Sequence, residues 1–216
     1  MRIILFFLLT FYNFYLFSQS PELKKEYKQT NKYFKLKKYH EAYLSNEKAL
    51  ALSLKEFGIE HLTTATLLEN KGRLLLELNN YNAAEKQFRE VLDIRDRLID
   101  GYNPDIAEVL NYLALSLRKQ NKLKEAIIEH NKVLNIMSNI IANNPGQISE
   151  LSRRSALYRA RAYQTKGQLL IKEGNYIEAK GNFNIAGKIF ERTLGKNKKE
   201  LEILKAEIER LKEKIN

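Results

Sequence analysis

The 216-residue chain contains no cysteine and no tryptophan, only three prolines, and nine glycines. Without cysteine there is no disulfide, no thiolate nucleophile and no acceptor for lipid modification near residue 20. So few glycines and prolines leave little to interrupt regular structure. Runs that alternate apolar and polar residues over strand length are scarce, which argues against sheet. What fills the chain instead is Lys, Glu, Leu, Ala, Gln and Arg, good helix formers that dominate 62–99 and 105–142. The expectation is an all-α protein.

The first twenty residues, "MRIILFFLLTFYNFYLFSQS", place one positive charge, Arg2, before a mostly apolar run from Ile3 to Phe17 and then a small polar segment. That is the order of a secretory signal peptide. The apolar run spans roughly 22 Å as a helix, short of the ~30 Å hydrocarbon core of a bilayer. Residues 1–20 are therefore expected to be a signal peptide, cleaved after Gln19 or Ser20, on a protein exported to the periplasm or beyond. The competing reading is an uncleaved membrane anchor over residues 3–17.

A local arrangement recurs along the rest of the chain. Tyr39-x-x-Ala42, Tyr81-x-x-Ala84, Leu123-x-x-Ala126 and Tyr176-x-x-Ala179 are separated by 42, 42 and 53 residues. Twelve residues before each Ala stand Thr30, Gly72, Ala114 and Gly167. Four after stand Asn46, Phe88, His130 and Phe183, and seven after stand Ala49, Val91, Val133 and Ala186. Small residues at the first site allow two helices to approach closely, while the sites after each Ala form the seam where they pack.

This pattern resembles the tetratricopeptide repeat, a helix-turn-helix unit with small, aromatic and alanine residues at fixed offsets. The 42-residue period is similar to the kinesin-light-chain-type variant, with "FGIEHLTTA" (57–65) and "IDGYNPDIA" (99–107) at the segments between repeats. The resemblance implies a right-handed α-solenoid of about four helix pairs, with repeats near 22–58, 62–100, 105–143 and 149–195 inside an array over 21–197. Glu26 and Asn46 depart from the pattern in the first repeat, as terminal units do when they face water.

The last interval exceeds the period by 11 residues, about three helical turns, so it can lengthen a helix without rotating its faces. Pro145-Gly146 breaks the chain beforehand, and Ser149 is read as the N-cap of the lengthened helix. The expected helices are 22–37, 39–57, 62–78, 81–99, 105–120, 123–142, 149–173, 176–194 and 198–214. The final one, in the C-terminal segment 198–216, carries Leu201, Leu204, Ile208, Leu211 and Ile215, a two-heptad apolar stripe. Two heptads are marginal alone, which favours a capping helix over a homodimer coiled coil.

No catalytic constellation emerges. His40, His61 and His130 show no metal-ligand spacing, and Gly-x-Ser-x-Gly does not occur. Gly181 and Gly187-Lys188 are wrongly spaced for a phosphate loop, and Ile189 stands where a magnesium-binding hydroxyl is required; they read as helix residues that permit close packing. No enzyme activity, cofactor or metal is expected.

Charge is more informative. Lys plus Arg exceeds Asp plus Glu by 37 − 26 = 11, or 10 once Arg2 leaves. Residues 146–197 hold ten basic and four acidic residues, a local excess of 6, which suits an acidic partner. The resemblance implies that the first helix of each repeat lines a concave groove. The fourth repeat would then present Arg154, Arg161, Gln164, Gln168 and Lys172, and the third Glu108, Asn111, Leu115 and Lys119. The second would present Thr66, Glu69, Arg73 and Glu77, and the first Lys24, Tyr27, Asn31 and Lys35. The expected function is a non-catalytic protein–protein interaction scaffold holding a peptide or protein segment in that groove. Nucleic acid is disfavoured, because acidic residues are interspersed and no aromatic stacking platform appears. Regulation of a separate kinase or protease is the other reading, although the chain carries no such domain.

Overall fold

The computed structural model describes residues 19–99, 101–143, 148–194 and 199–215. The expected signal peptide, apart from its last two residues, and the Pro145-Gly146 break lie outside these. Among the described residues there are nine helices and no strand: α1 (Pro21–Lys35), α2 (Tyr39–Phe57), α3 (Leu62–Glu77), α4 (Tyr81–Leu98), α5 (Pro104–Lys119), α6 (Leu123–Asn143), α7 (Ile148–Lys172), α8 (Tyr176–Leu194) and α9 (Lys199–Ile215). The all-α tetratricopeptide solenoid expected from the sequence is the fold observed, with helix ends within about two residues of those expected. One start differs. Ser149 lies inside α7, so it is a helical residue and not the N-cap.

The repeat period is also written in the backbone. Lys37, Asn79, Asn121 and Gly174 each adopt a left-handed conformation, with φ of 58°, 60°, 67° and 76°. The following amide closes back onto a carbonyl five residues earlier: Lys38 to Tyr33, Asn80 to Leu75, Lys122 to Leu117 and Asn175 to Leu170. This Schellman closure satisfies carbonyls that the helix end would otherwise strand and turns the chain directly into the second helix. The starts of two first helices are matched in the same way. His61 Nδ1 accepts from the Thr63 amide at 3.1 Å, and Asn103 Oδ1 accepts from the Asp105 amide at 2.8 Å, both as N-caps.

Packing inside each repeat depends on a trade of side-chain size. Phe88 and Phe183 are fully buried, and each ring occupies the space left by a glycine on the preceding helix. A Cβ at Gly72 would lie 2.6 Å from Phe88 Cε1, and one at Gly167 would lie 2.5 Å from Phe183 Cε1. In the third repeat the small residue is Ala114 and the ring shrinks to His130. In the first it is Thr30, and the partner position holds Asn46, whose side-chain amide donates to the Leu67 carbonyl at 3.0 Å. Larger residues at the first site thus accompany smaller or polar ones at the second. Gly181 does not belong to this set: nothing lies within 4 Å of a Cβ placed there, contrary to the close packing expected of it.

The described residues divide into two compact units, one ending at Leu98 and the other beginning at Ile99. In the first, α1 packs on α2, α2 on α3 and α3 on α4. In the second, α5 to α9 pack in consecutive order. There α9 lays its stripe against α8: Leu201, Leu204 and Leu211 are buried with Phe183, Ala186 and Phe190. Gly187 brings α8 close to α9, since its Cβ position would sit 3.5 Å from Leu204 Cδ2. Three of the five stripe residues are thereby buried within the same chain, and Ile208 and Ile215 are half-buried.

Candidate partner-binding site

In the first unit, α1 and the start of α3 enclose a cleft of about 400 Å³. Tyr27 and Thr66, two residues expected to present themselves to a ligand, line it together with Leu23, Leu62 and Leu67. Leu62 is 43 % exposed and Tyr27 38 %, so the cleft offers apolar surface and a phenol at its edge. Arg73 stands further along α3 with its guanidinium 5.3 Å from the Phe34 ring centroid, a cation–π arrangement. Two other expected groove residues are otherwise engaged. Glu69 is buried and ion-paired with the buried Arg95 at 2.8 Å, and Glu77 accepts the hydrogen bond of Tyr39. Burial first, and then the Glu77 charge and hydrogen bond, hold the Tyr39 phenol above its ordinary pKa.

In the second unit, α7 is tied to α5 by Arg154, whose Nη2 lies 2.7 Å from Glu108 Oε2. Partial burial works against the Arg154 charge, but Tyr158, Glu108 and Asp105 outweigh it and hold the group above its ordinary pKa. Arg154 therefore acts as a strut between first helices, where the sequence suggested a side chain open to a ligand. Asn111 and Gln164 are also buried, 1 % and 9 % exposed, so they belong to the floor of this face and do not present side chains to solvent. Gln168 is half-buried on the same helix, and Lys119 and Lys172 are exposed.

Arg161 has the setting most suited to binding. Its charge bears on Arg118, which burial and the neighbouring Arg161 together lower to a pKa of about 10. The Arg118 guanidinium is therefore charged at neutral pH, and no carboxylate among the described residues forms an ion pair with Arg118 or Arg161. Burial, followed by Arg118 and Arg161, also lowers the His130 pKa to about 3, so this imidazole is neutral. Its Nε2 lies 3.2 Å from Thr165 Oγ1, while the Thr165 hydroxyl donates to the Arg161 carbonyl at 2.9 Å. The hydroxyl proton is used, so Nε2 of His130 carries hydrogen and Nδ1 is the bare nitrogen. That Nδ1 is buried without a hydrogen-bond partner, as is Asn111 Oδ1.

Arg118 and Arg161 are both half-buried, and the burial that lowers the Arg118 pKa is a desolvation cost that an incoming anion would offset. Arg118 was missed in the sequence because it lies one residue from the groove offsets. The signal available was its heptad relation to Asn111, which places both on one face of α5. His130 stood out only as an unusual occupant of the Phe site.

Comparison with known proteins bears on the repeats and the fold. Residues 33–97 match a family model described as tetratricopeptide repeat, and a second model of that description matches 160–184. Those two stretches are therefore tetratricopeptide repeats. The fold is kinesin-light-chain-like. A crystal structure of nearly identical kinesin-light-chain TPR-like repeats from Podosopora anserina is similar at a TM-score of 0.59 and 18 % identity, covering 89 % of this chain and 86 % of that one. BtubC from P. vanneervenii is similar at 0.59 and 20 % identity, covering 78 % and 63 %. No curated protein matches the sequence.

Proposed function

We propose that this protein is a non-catalytic scaffold that holds a protein or peptide segment against the first helices of its repeats, with an acidic group of that segment seated at Arg118 and Arg161. The observation that carries this reading is the pair of guanidiniums in the second unit without a carboxylate partner. A planar carboxylate would satisfy both through forked, charge-assisted hydrogen bonds. Preformed helix pairs lose little conformational freedom on binding, so a short acidic segment suffices. Lys172 and Lys119 at the exposed ends of α7 and α5 add long-range attraction. The apolar cleft of the first unit, with Tyr27 and Arg73 nearby, would accept an aromatic or aliphatic side chain.

The N-terminal segment supports an exported protein, with residues 1–20 removed. Tagged full-length protein, recovered from its native cells after cross-linking, gives the partner by mass spectrometry and the processed N-terminus by sequencing. A chain starting near Ser20 in the envelope agrees with export; an intact Met1 in the membrane assigns residues 3–17 as an anchor.

The groove itself is tested with Arg118→Met. Removing the cation whose pKa burial and Arg161 lower raises the thermal midpoint of the unliganded protein and abolishes partner capture. Arg161→Glu combined with Lys172→Glu abolishes capture in the same way while the helical signal persists. Capture at wild-type level by both variants refutes the site.

A further inference from the structure

At 25 residues α7 is nine longer than α3 or α5, and its early turns line a cleft with α8. Ser152, Ala156 and Arg159 follow one face of α7 at intervals of four and three, and Lys188 and Arg192 follow one face of α8. Together with Ile189 they enclose a cleft of about 530 Å³. Its charge is of one sign: Arg153, Arg159, Lys188 and Arg192 line it, and no carboxylate does. Arg153 makes a loose exposed pair with Glu150 at 3.6 Å. Among the described residues, no carboxylate forms an ion pair with Arg159, Lys188 or Arg192. The floor is apolar, from Ala156 and Ile189, and the Ser152 and Thr193 hydroxyls stand at its wall.

We infer that this cleft is a second docking site, for an acidic segment of a protein partner in which Glu or Asp alternates with aliphatic residues. The apolar floor asks for side chains that a phosphate or a bare headgroup lacks. Three arginines supply forked donors that match carboxylates in bidentate fashion. A discrete concave cleft suits an inserted chain better than a flat membrane surface, and it lacks the aromatic platform that single-stranded nucleic acid uses. The site is separate from Arg118 and Arg161, so its partner segment is bound independently of the groove.

The test uses the full processed chain and a fluorescein-labelled peptide of alternating Glu and Leu, followed by fluorescence anisotropy at low salt. Wild type binds, and binding weakens as salt is raised. Arg159→Glu with Arg192→Glu weakens binding by more than about tenfold, the loss of two charge-assisted contacts, with an unchanged melting curve. Arg159→Gln with Arg192→Gln weakens it in the same direction, and the cleft variants produce the same loss when they are placed in an Arg118→Met background. No binding by wild type overturns the inference, as does binding abolished by Arg118→Met and untouched by the cleft variants. Tighter association with phosphatidylserine vesicles or oligo-dT than with the peptide also overturns it, assigning the cleft to lipid or nucleic acid.

Discussion

Gly167 and Gly181 lie in the second unit, on adjacent packed helices, yet alanine should act on them in opposite directions. Alanine is favoured over glycine inside a helix by about 0.8–1 kcal/mol. At Gly181 nothing lies within 4 Å of the added methyl, so Gly181→Ala keeps that gain and stabilises the unit by about 1 kcal/mol. At Gly167 the methyl would sit 2.5 Å from Phe183 Cε1, 2.7 Å from Cδ1 and 3.0 Å from Cζ. Ordinary carbon contacts lie near ~3.5–4.0 Å, so the ring must retreat by about 1 Å into a close-packed interior where Phe183 is fully buried. Overpacking of that kind costs typically about 1–3 kcal/mol, occasionally more. Net of the helix gain, Gly167→Ala destabilises by up to about 2 kcal/mol, and the two alanine variants differ by about 1–3 kcal/mol. Urea denaturation followed by circular dichroism at the helix band reads both on the transition of the same unit. Phe183→Leu placed in the Gly167→Ala background should cost less than it does alone, because the smaller side chain relieves the overlap. The coupling should be about 0.5–3 kcal/mol in the compensating direction. A Gly167→Ala protein as stable as Gly181→Ala, or additive behaviour of the double variant, would refute the size-trade argument. The third repeat, with Ala114 against a site occupied by His130, is a natural instance of the compensation.

Three further outcomes are expected. His130 has its pKa lowered to about 3 by burial, Arg118 and Arg161, so the unfolded chain binds the proton first. Its contribution to stability is complete above pH ~6.5 and is lost as pH falls toward 3; between pH 7 and 5 the second unit loses about 2 kcal/mol. His130→Leu flattens this slope in urea titrations at the two pH values, and an unchanged slope would refute it. Glu69→Ala leaves Arg95 buried without the carboxylate now 2.8 Å away, a loss of about 3–5 kcal/mol, whereas Glu69→Leu with Arg95→Met recovers most of it in the same assay. Lys37→Gly places the residue suited to φ of 58° at the first turn and raises the stability of the first unit by about 1 kcal/mol, whereas Gly174→Ala at the equivalent turn lowers the second unit by a similar amount.

The comparison of sequence and structure divides by the range of the interactions involved. Helix positions, repeat phase and the all-α class were determined by the sequence alone, because they follow from local propensity and a period that carries the same residue types to the same places. Tyr81-x-x-Ala84 recurs for the reason that Asn79, Asn121 and Gly174 recur: every helix pair closes through one turn and packs at one corner. Which polar residues face a ligand was decided only by tertiary structure. Asn111, Gln164, Glu69 and Arg154 have the spacing of groove residues, but neighbouring helices bury the first two and supply Arg95 and Glu108 as partners for the others. Arg118 becomes a candidate only when α7 brings Arg161 to it, and the basic cleft forms only where α7 packs beside α8. Periodicity specifies which face of a helix a residue occupies, whereas burial, ion pairing and unbalanced charge depend on what packs against that face.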